Sequence, residues 1–402
     1  MMRPFKSLIS LEEALEIVKS AIKPIVRTEE IFISDANGRV LAEDVIANMD
    51  VPPFDRAAMD GYAVRAEDTY GANQFKPVIL KLIDVVRAGE VTEKKVGVNE
   101  CIQVATGCKM PPGADAVAMA EHAEQCEGKI KIFKPVHPRA NVSGKGEDIS
   151  AGSKVLSTGE HLNPSRVGTL AALGIQKVRV YERPEVAIVP TGSEVANLGC
   201  ELKDAQVYDI NSYTLSAIVR ENGGVPIKFD VTPDNYEDVR NAMVNALKYD
   251  MAVFSGGSSV GESDILCDAV RELGDVLFHG VQIKPGKPIL FGVARNKPVF
   301  GIPGYPTSCL SNGYRFLLPA ARQLARLPKR KDIVVRSKLA QRVVSTLGRS
   351  QFLTVRLEDG FAHPVFKESG AITSMADADG YVDIPANVDL LEKGEEVDVI
   401  LL

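Results

Sequence analysis

Apolar residues near the start recur at helical spacing. Leu11, Ala14, Leu15, Val18 and Ile22 fall on one stripe, Ser10 with Glu13 forms a capping box before it, and Pro24 ends it. The pattern predicts a short amphipathic helix. From about Met49 to Asn141 it changes to short β-like runs, PVILKLIDVV, ECIQVA, DAVAMA and KIKIF, separated by Gly, Pro and Asn. Those runs predict a small β module inserted between two parts of another domain. Asn163 and Pro164 then read as N-cap and first residue of a helix that stops at Gly174.

Residues 185 to 326 alternate strand and helix patterns. EVAIVPTG, a helix from about Ser212 to Glu221, VPIKFDV, a helix opened by Thr232 and Pro233, DMAVFSGG, a helix from about Ser263 to Leu273, VLFHGVQI, PILFGV and PVFGIPG follow in order. This βα series predicts a mainly parallel sheet covered on both faces, with ligands in the crevice beyond the carboxyl ends of its strands. Residues 331 to 402 return to β character in DIVVRSKLA, FLTVRLE, GYVDIPA and EEVDVILL, which predicts a terminal barrel or sandwich. The fold class expected is multidomain α/β plus β.

Composition narrows the function classes. The chain has 402 residues, 45% hydrophobic and 25% charged, which is ordinary for a globular protein of about two to four domains. A net charge of −6 argues against non-specific nucleic-acid binding, and the basic run at Lys329, Arg330 and Lys331 reads as a solvated linker. No stretch approaches the roughly 18 apolar residues of a membrane span, and the start lacks the apolar region of a signal peptide, so a soluble cytoplasmic protein is expected. Its six cysteines show no C-x-x-C and its five histidines no H-x-x-x-H, so zinc-ligand spacing is absent.

The candidate chemistry lies in loops. Thr191-Gly192-Ser193-Glu194 follows one strand, Ser255-Gly256-Gly257-Ser258-Ser259 follows another, and Pro303-Gly304-Tyr305-Pro306-Thr307-Ser308 precedes the last long helix. Each glycine pair alone reads equally as a tight turn, but three such loops on one rim let backbone N–H groups converge on an anion. Lys284 and Lys287 flank a Pro-Gly turn beside that rim and suit a phosphate or oxyanion. Glu262 and Asp264 sit in the same glycine-serine loop; they either cap the next helix or hold a Mg²⁺ that neutralises the bound phosphate. Elsewhere, PPFDRAAMDGYAVRAED places Asp60 and Gly61 in a turn at the start of the β module, and GKGEDI closes the module with Glu147 and Asp148.

AMDGYA, GEDIS, the strand followed by TGSE, QVYDIN, SGGSSVGESD, IKPGKP and PGYPTS occur in the order and approximate spacing of one family. The chain resembles the molybdopterin molybdenumtransferase family (MoeA), also represented by the C-terminal part of gephyrin, over essentially its whole length. The resemblance implies an elongated four-domain homodimer. Its expected domains are a discontinuous N-terminal linking domain (1–48 and 142–180), an inserted β domain (49–141), an α/β domain like MogA that binds the pterin (181–328) and a C-terminal β domain (329–402). The implied reaction takes adenylylated molybdopterin and molybdate, or tungstate, releases AMP with the help of Mg²⁺, and leaves the metal on the pterin dithiolene. The adenylyltransferase that supplies the substrate is an implied partner; nucleic acid and membrane are not.

Carried over by position, the resemblance implies that Asp60 is catalytic, that Glu194 and Asp264 with Asp60 serve the metal and nucleotide site, and that Asp148 is a further catalytic acid. Lys284 and Lys287 are the implied anion grip, and the loop residues Thr191, Gly192, Ser255, Gly256, Gly257, Ser258, Ser259, Pro303, Gly304, Tyr305 and Ser308 contact substrate. Asp209 in QVYDIN and Asp234 after Pro233 are weaker candidates. Many members carry Asn where Tyr305 stands, Val where Ser258 stands and an acid where Ser193 stands, so the pocket is expected to differ and the choice of molybdate or tungstate stays open. Two other classes use similar parts. A scaffold of the gephyrin kind has the fold without turnover, although the acids at 60, 194 and 264 are retained here. A Mg²⁺-dependent nucleotide phosphohydrolase would leave AMDGYA unexplained, and no G-x-x-x-x-G-K-[ST] is present.

Overall fold

The computed structural model describes residues 8–256, 265–365 and 371–402. They fold as two compact units, one built from residues up to Glu30, Gly38–Val40 and Arg179–Leu402, the other from Ile31–Asn37 and Leu41–Val178.

In the Leu41–Val178 unit a six-stranded sheet runs in the order Ala116–Met119, Gly61–Val64, Glu100–Val104, Val78–Val86, Lys129–Ile132 and Ala123–Cys126. Side chains alternate between its faces with the two-residue period of a strand. Tyr62, Val64, Leu80 and Ile130 enter one core, while Ala63, Ile102, Val104 and Val117 enter the other. Gly61 corrects the sequence reading: it opens a strand instead of turning a hairpin. A Cβ there would collide with the Ala118 carbonyl on the adjacent strand, so the glycine permits close strand approach. The helix Pro164–Ala172 begins as expected, with Asn163 Oδ1 accepting the Arg166 N–H at 2.9 Å.

The other unit starts with helix Leu11–Ala21, where Ser10 Oγ accepts the Glu13 N–H at 3.1 Å and Ala14 and Val18 are buried. Its sheet runs in the order Val225–Lys228, Glu185–Pro190, Met251–Ser255, Lys297–Ile302, Leu290–Ala294 and Gly274–His279. The first four strands are mutually parallel, and Leu290–Ala294 runs antiparallel to both of its neighbours, Lys297–Ile302 and Gly274–His279. Both faces are covered. Val186, Ile188, Val253 and Phe300 pack with Leu215, Ile218 and Phe316, whereas Ala187, Val189, Ala252 and Phe254 pack with Val239, Met243 and Val270. Each large side chain buried in this way contributes about 1.5–3 kcal/mol. The helix Tyr236–Ala246 opens at Asn235, whose Oδ1 accepts the Asp238 N–H at 3.0 Å. The Thr232–Pro233 start is therefore corrected: Thr232 forms a bridge with Thr191 and donates its N–H to Pro190 O at 2.8 Å, extending the sheet edge.

The C-terminal region resolves the choice between barrel and sandwich. Ser350–Glu358 pairs with Phe361–Pro364, which pairs with Val334–Leu339, then Glu396–Leu401, then Gly380–Ile384, which returns to Ser350–Glu358. Five strands thus close a barrel and leave no free edge within the ring. The two-residue strand Ile283–Lys284 adds in parallel to Ser350–Gln351.

At the amino ends of the parallel strands, Asp250 is 6% exposed and accepts both Nη groups of Arg27 (2.9 and 2.8 Å), the Glu185 N–H (2.9 Å) and Lys297 Nζ (3.3 Å). Burial pushes its carboxyl up, but these donors outweigh burial and hold it below the usual carboxylate range. Its stabilisation is therefore present above the unfolded value of about 3.9 and lost as pH falls through the lowered folded value. Asp250→Asn should cost about 2 kcal/mol at pH 7, the full cost of a broken buried pair being reduced because Arg27 is half exposed. Urea unfolding at pH 7 and in the acid range should also show a weaker loss of stability on acidification than in the parent; an unchanged acid dependence would contradict this account.

Candidate active site

The parallel strands Glu185–Pro190, Met251–Ser255 and Lys297–Ile302 all end at one cavity of about 740 Å³. Thr191 and Gly192, Ser255 and Gly256, and Pro303 with Gly304 form its floor, so the described parts of the three loops do share one rim. A flap completes it. Val195–Ala196 pairs in parallel with Val207–Tyr208, and Val195, Val207, Tyr208 and Ile210 give the cavity an apolar wall. Tyr305 lines the mouth and is 66% exposed.

Among the described residues, three carboxylates line this space. Glu194 is exposed, and its carboxylate folds over Gly192, where φ is +137° and a Cβ would come within 2.8 Å of both carboxylate oxygens. Asp234 is also exposed. Asp209 differs: it is buried, its Oδ1 accepts the Ser212 N–H at 3.0 Å, its Oδ2 accepts the Ser212 hydroxyl, and Lys228 Nζ lies 3.7 Å away while stacking over the Tyr213 ring. Asp209 therefore anchors Ser212 in the first turn of helix Asn211–Glu221, with its charge already paired by Lys228. Asn211 went unnoticed in the sequence although it ends the QVYDIN motif. Its Nδ2 donates to Gly304 O at 2.8 Å, fixing the third loop, while its Oδ1 is buried without a hydrogen-bond partner; the residue is part of the cavity lining.

Three amides of the glycine loops are already engaged within the protein. Thr191 N–H goes to Ser255 O (2.9 Å), Gly192 N–H to Thr232 O (3.2 Å) and Gly256 N–H to Ile302 O (3.0 Å). These bonds tie Thr191 to Ser255, Gly192 to Thr232 and Gly256 to Ile302, so these three amides hold the floor together. At Gly256, φ is +96° and a Cβ would strike the Thr191 carbonyl. Gly256→Ala should cost about 1–3 kcal/mol and deform the floor; a melting temperature equal to the parent's would show that the loop yields freely.

Lys284 and Lys287 are not among the cavity-lining residues, but Pro288 next to them is. Lys284 Nζ lies 3.5 Å from Thr346 Oγ1. Ser308 is buried and its carbonyl accepts Ser311 Oγ (3.1 Å) and Asn312 Nδ2 (2.8 Å). Gly257, Ser258, Ser259, Glu262 and Asp264 lie outside the described residues.

Asp60 and Asp148 belong to the other unit. Asp60 is exposed, and its Oδ1 accepts both the main-chain N–H (2.6 Å) and the hydroxyl (2.8 Å) of Thr106. The Thr106 N–H first, and its hydroxyl second, hold the Asp60 carboxyl below its ordinary value. Asp148 is exposed and donates its N–H to Val51 O at 3.1 Å.

Three family models cover the chain in sequence: the MoeA N-terminal region (domain I and II) at residues 9–174, a probable molybdopterin binding domain at 187–323, and the MoeA C-terminal region (domain IV) at 336–402. A putative molybdopterin biosynthesis protein of Methanocaldococcus jannaschii is 38% identical over 100% of both chains. A molybdopterin molybdenumtransferase of Staphylococcus aureus is 30% identical over 96% of this chain and 95% of its own. The crystal structure of a MoeA protein from Pyrococcus horikoshii matches with a TM-score of 0.85 and 35% identity over 98% of this chain and 100% of that one. Sequence and fold agree along the whole length, and the chain belongs to the MoeA family.

Proposed function

We propose that this protein is a molybdopterin molybdenumtransferase that acts in molybdenum-cofactor biosynthesis. Adenylylated molybdopterin enters the cavity at the carboxyl ends of the parallel strands, molybdate or tungstate supplies the metal, and AMP leaves. The cavity's mixed lining is the observation that carries this reading: an apolar wall with Tyr208 and Tyr305 for a flat heterocycle, Asn211 Oδ1 as a buried acceptor for a heterocycle N–H, and the acids Glu194 and Asp234. A simple phosphate trap would have little use for such a wall. The lysines of IKPGKP supply the positive charge for the oxyanion.

Magnesium takes one or two carboxylates and completes its shell with waters and substrate phosphates. Glu194 and Asp234 fit that requirement, and no group of three or more ligating side chains occurs among the described residues, so substrate oxygens would supply the remaining ligands. Asp264, outside the described residues, is a third candidate ligand. Bound there, Mg²⁺ would neutralise phosphate charge as the adenylyl group departs. Asp60 and Asp148, in the other unit, are assigned to the metal-transfer step. The reading includes the four-domain organisation, a homodimer, and an adenylyltransferase as supplier of the substrate.

Mixing the protein with adenylylated molybdopterin, Mg²⁺ and molybdate should yield AMP and metallated cofactor together. AMP without metallation would favour a phosphohydrolase, and binding without either product a scaffold. Sedimentation showing a fully active monomer would remove the dimer from the reading.

A further inference from the structure

The helical segment after the Pro303–Ser308 loop carries a charged group that the proposed chemistry leaves unused. Arg315 lies in the π-helical turn Gly313–Leu317, with its side chain 5% exposed. Its Nη2 donates to Ser350 Oγ at 3.2 Å and to Asp383 Oδ1, and Ser350 Oγ donates to the same Asp383 oxygen at 2.8 Å. The guanidinium sits 5.4 Å from the centroid of the Phe352 ring, which stacks on Tyr381 at 4.0 Å. Nε and Nη1 are buried and have no hydrogen-bond partner. Burying a guanidinium against one partly exposed carboxylate, with two of its three nitrogens unpaired, is costly, and an apolar side chain of similar length would pack there more cheaply. Stability alone therefore does not account for Arg315, and π-helical turns are frequent at functional sites.

What Arg315 holds suggests its use. Ser350 begins the barrel strand Ser350–Glu358; its N–H goes to Gln282 O at 2.9 Å, it pairs with Ile283, and the following Gln351 pairs with Lys284. The short strand carrying Lys284 is thus registered on the residue that Arg315 grips. One helical turn earlier, fully buried Asn312 donates Nδ2 to Gly286 O at 3.2 Å and to Ser308 O at 2.8 Å. Gly286 lies between the two lysines with φ of +93°, and a Cβ there would strike the Asn312 amide. One helical segment therefore fixes the lysine loop twice, at its turn through Asn312 and at its barrel neighbour through Arg315.

We infer that Arg315, assisted by Asn312, is a positioning residue that sets the placement of Lys284 and Lys287 for the oxyanion substrate, acting through Ser350 and Asp383 and not by touching the anion. This rests on the reading of those lysines as the anion grip. A short misplacement of a binding group is expensive because the geometry has to be restored on each encounter.

The test uses the full-length protein with Arg315→Met, Arg315→Lys, Lys284→Ala and the Arg315→Met/Lys284→Ala double variant. Molybdate is titrated at fixed adenylylated molybdopterin, molybdate binding is measured separately by calorimetry, and melting is recorded. Arg315→Met should weaken molybdate binding and raise its KM roughly tenfold, with kcat changed by less than about twofold, and Arg315→Lys should recover part of the loss. In the Lys284→Ala background Arg315→Met should add clearly less than it does alone, the remainder acting through Lys287. An Arg315→Met protein that melts earlier but keeps the parent's molybdate KM overturns the inference, as does an effect that multiplies independently onto Lys284→Ala. If Arg315→Met does not fold, Ser350→Ala replaces it, with an expected rise in molybdate KM of about threefold; an unchanged KM is again decisive against the inference. Normal molybdate binding by Lys284→Ala would instead remove the underlying reading of the lysines.

Discussion

Glu194→Gln should lower turnover by about 10²- to 10³-fold, the usual loss when a charged group acting in the transition state is replaced by its neutral isostere. The fold should survive, because the side chain is exposed. If Glu194 works by holding Mg²⁺, raising Mg²⁺ should recover part of the loss. Measuring AMP release over a Mg²⁺ titration separates a defect in metal affinity from one in the chemical step. A Glu194→Gln protein with the parent's turnover would leave the acid as a mere wall of the cavity.

Asp60→Asn should produce a loss of comparable size that extra Mg²⁺ does not relieve, because Asp60 is assigned to metal transfer and not to nucleotide binding. Its partner offers a second test. Thr106 donates an N–H and an O–H to one carboxylate oxygen and thereby keeps Asp60 ionised further into the acid range than an ordinary aspartate. Thr106→Val removes the hydroxyl but keeps the N–H, so the acid limb of the turnover profile should move to higher pH. The matching stability contribution has the same sign: it is present above the unfolded value and lost as pH falls through the lowered one, and it is small because the group is exposed. An acid limb that stays where it was in Thr106→Val would show that Asp60 does not control it.

How far these residues were readable depended on whether their partners are local. Ser10 with Glu13 and Asn163 with Arg166 lie three residues apart, so the chain itself announces those caps. The alternating strands after residue 185 were equally visible, since the pleat forces Val186 and Ala187 into different cores. Thr232–Pro233 misled because a proline after a threonine looks like a helix start, whereas the competing hydrogen bond to Pro190 O comes from a strand 42 residues earlier in the chain. Gly61 misled for a related reason: D-G suggests a turn, and the Ala118 carbonyl that excludes a side chain is distant in sequence. Thr106 was invisible as the partner of Asp60, 46 residues away. Asn211 stood inside a quoted motif, but its unpaired Oδ1 matters only once the cavity around it is known. The chemistry of the substrate lay beyond periodicity altogether and came through the conjunction of motifs.

The parallel pairing of Ile283–Lys284 with Ser350–Gln351 bears on how members of this family can be recombined. A cut placed between the α/β sheet and the barrel looks harmless on a domain diagram, yet it severs a ladder that spans both. The barrel is in this sense a removable ruler for a lysine it does not encode. Chimeras that exchange the barrel between relatives should consequently alter oxyanion preference while every residue of IKPGKP stays in place.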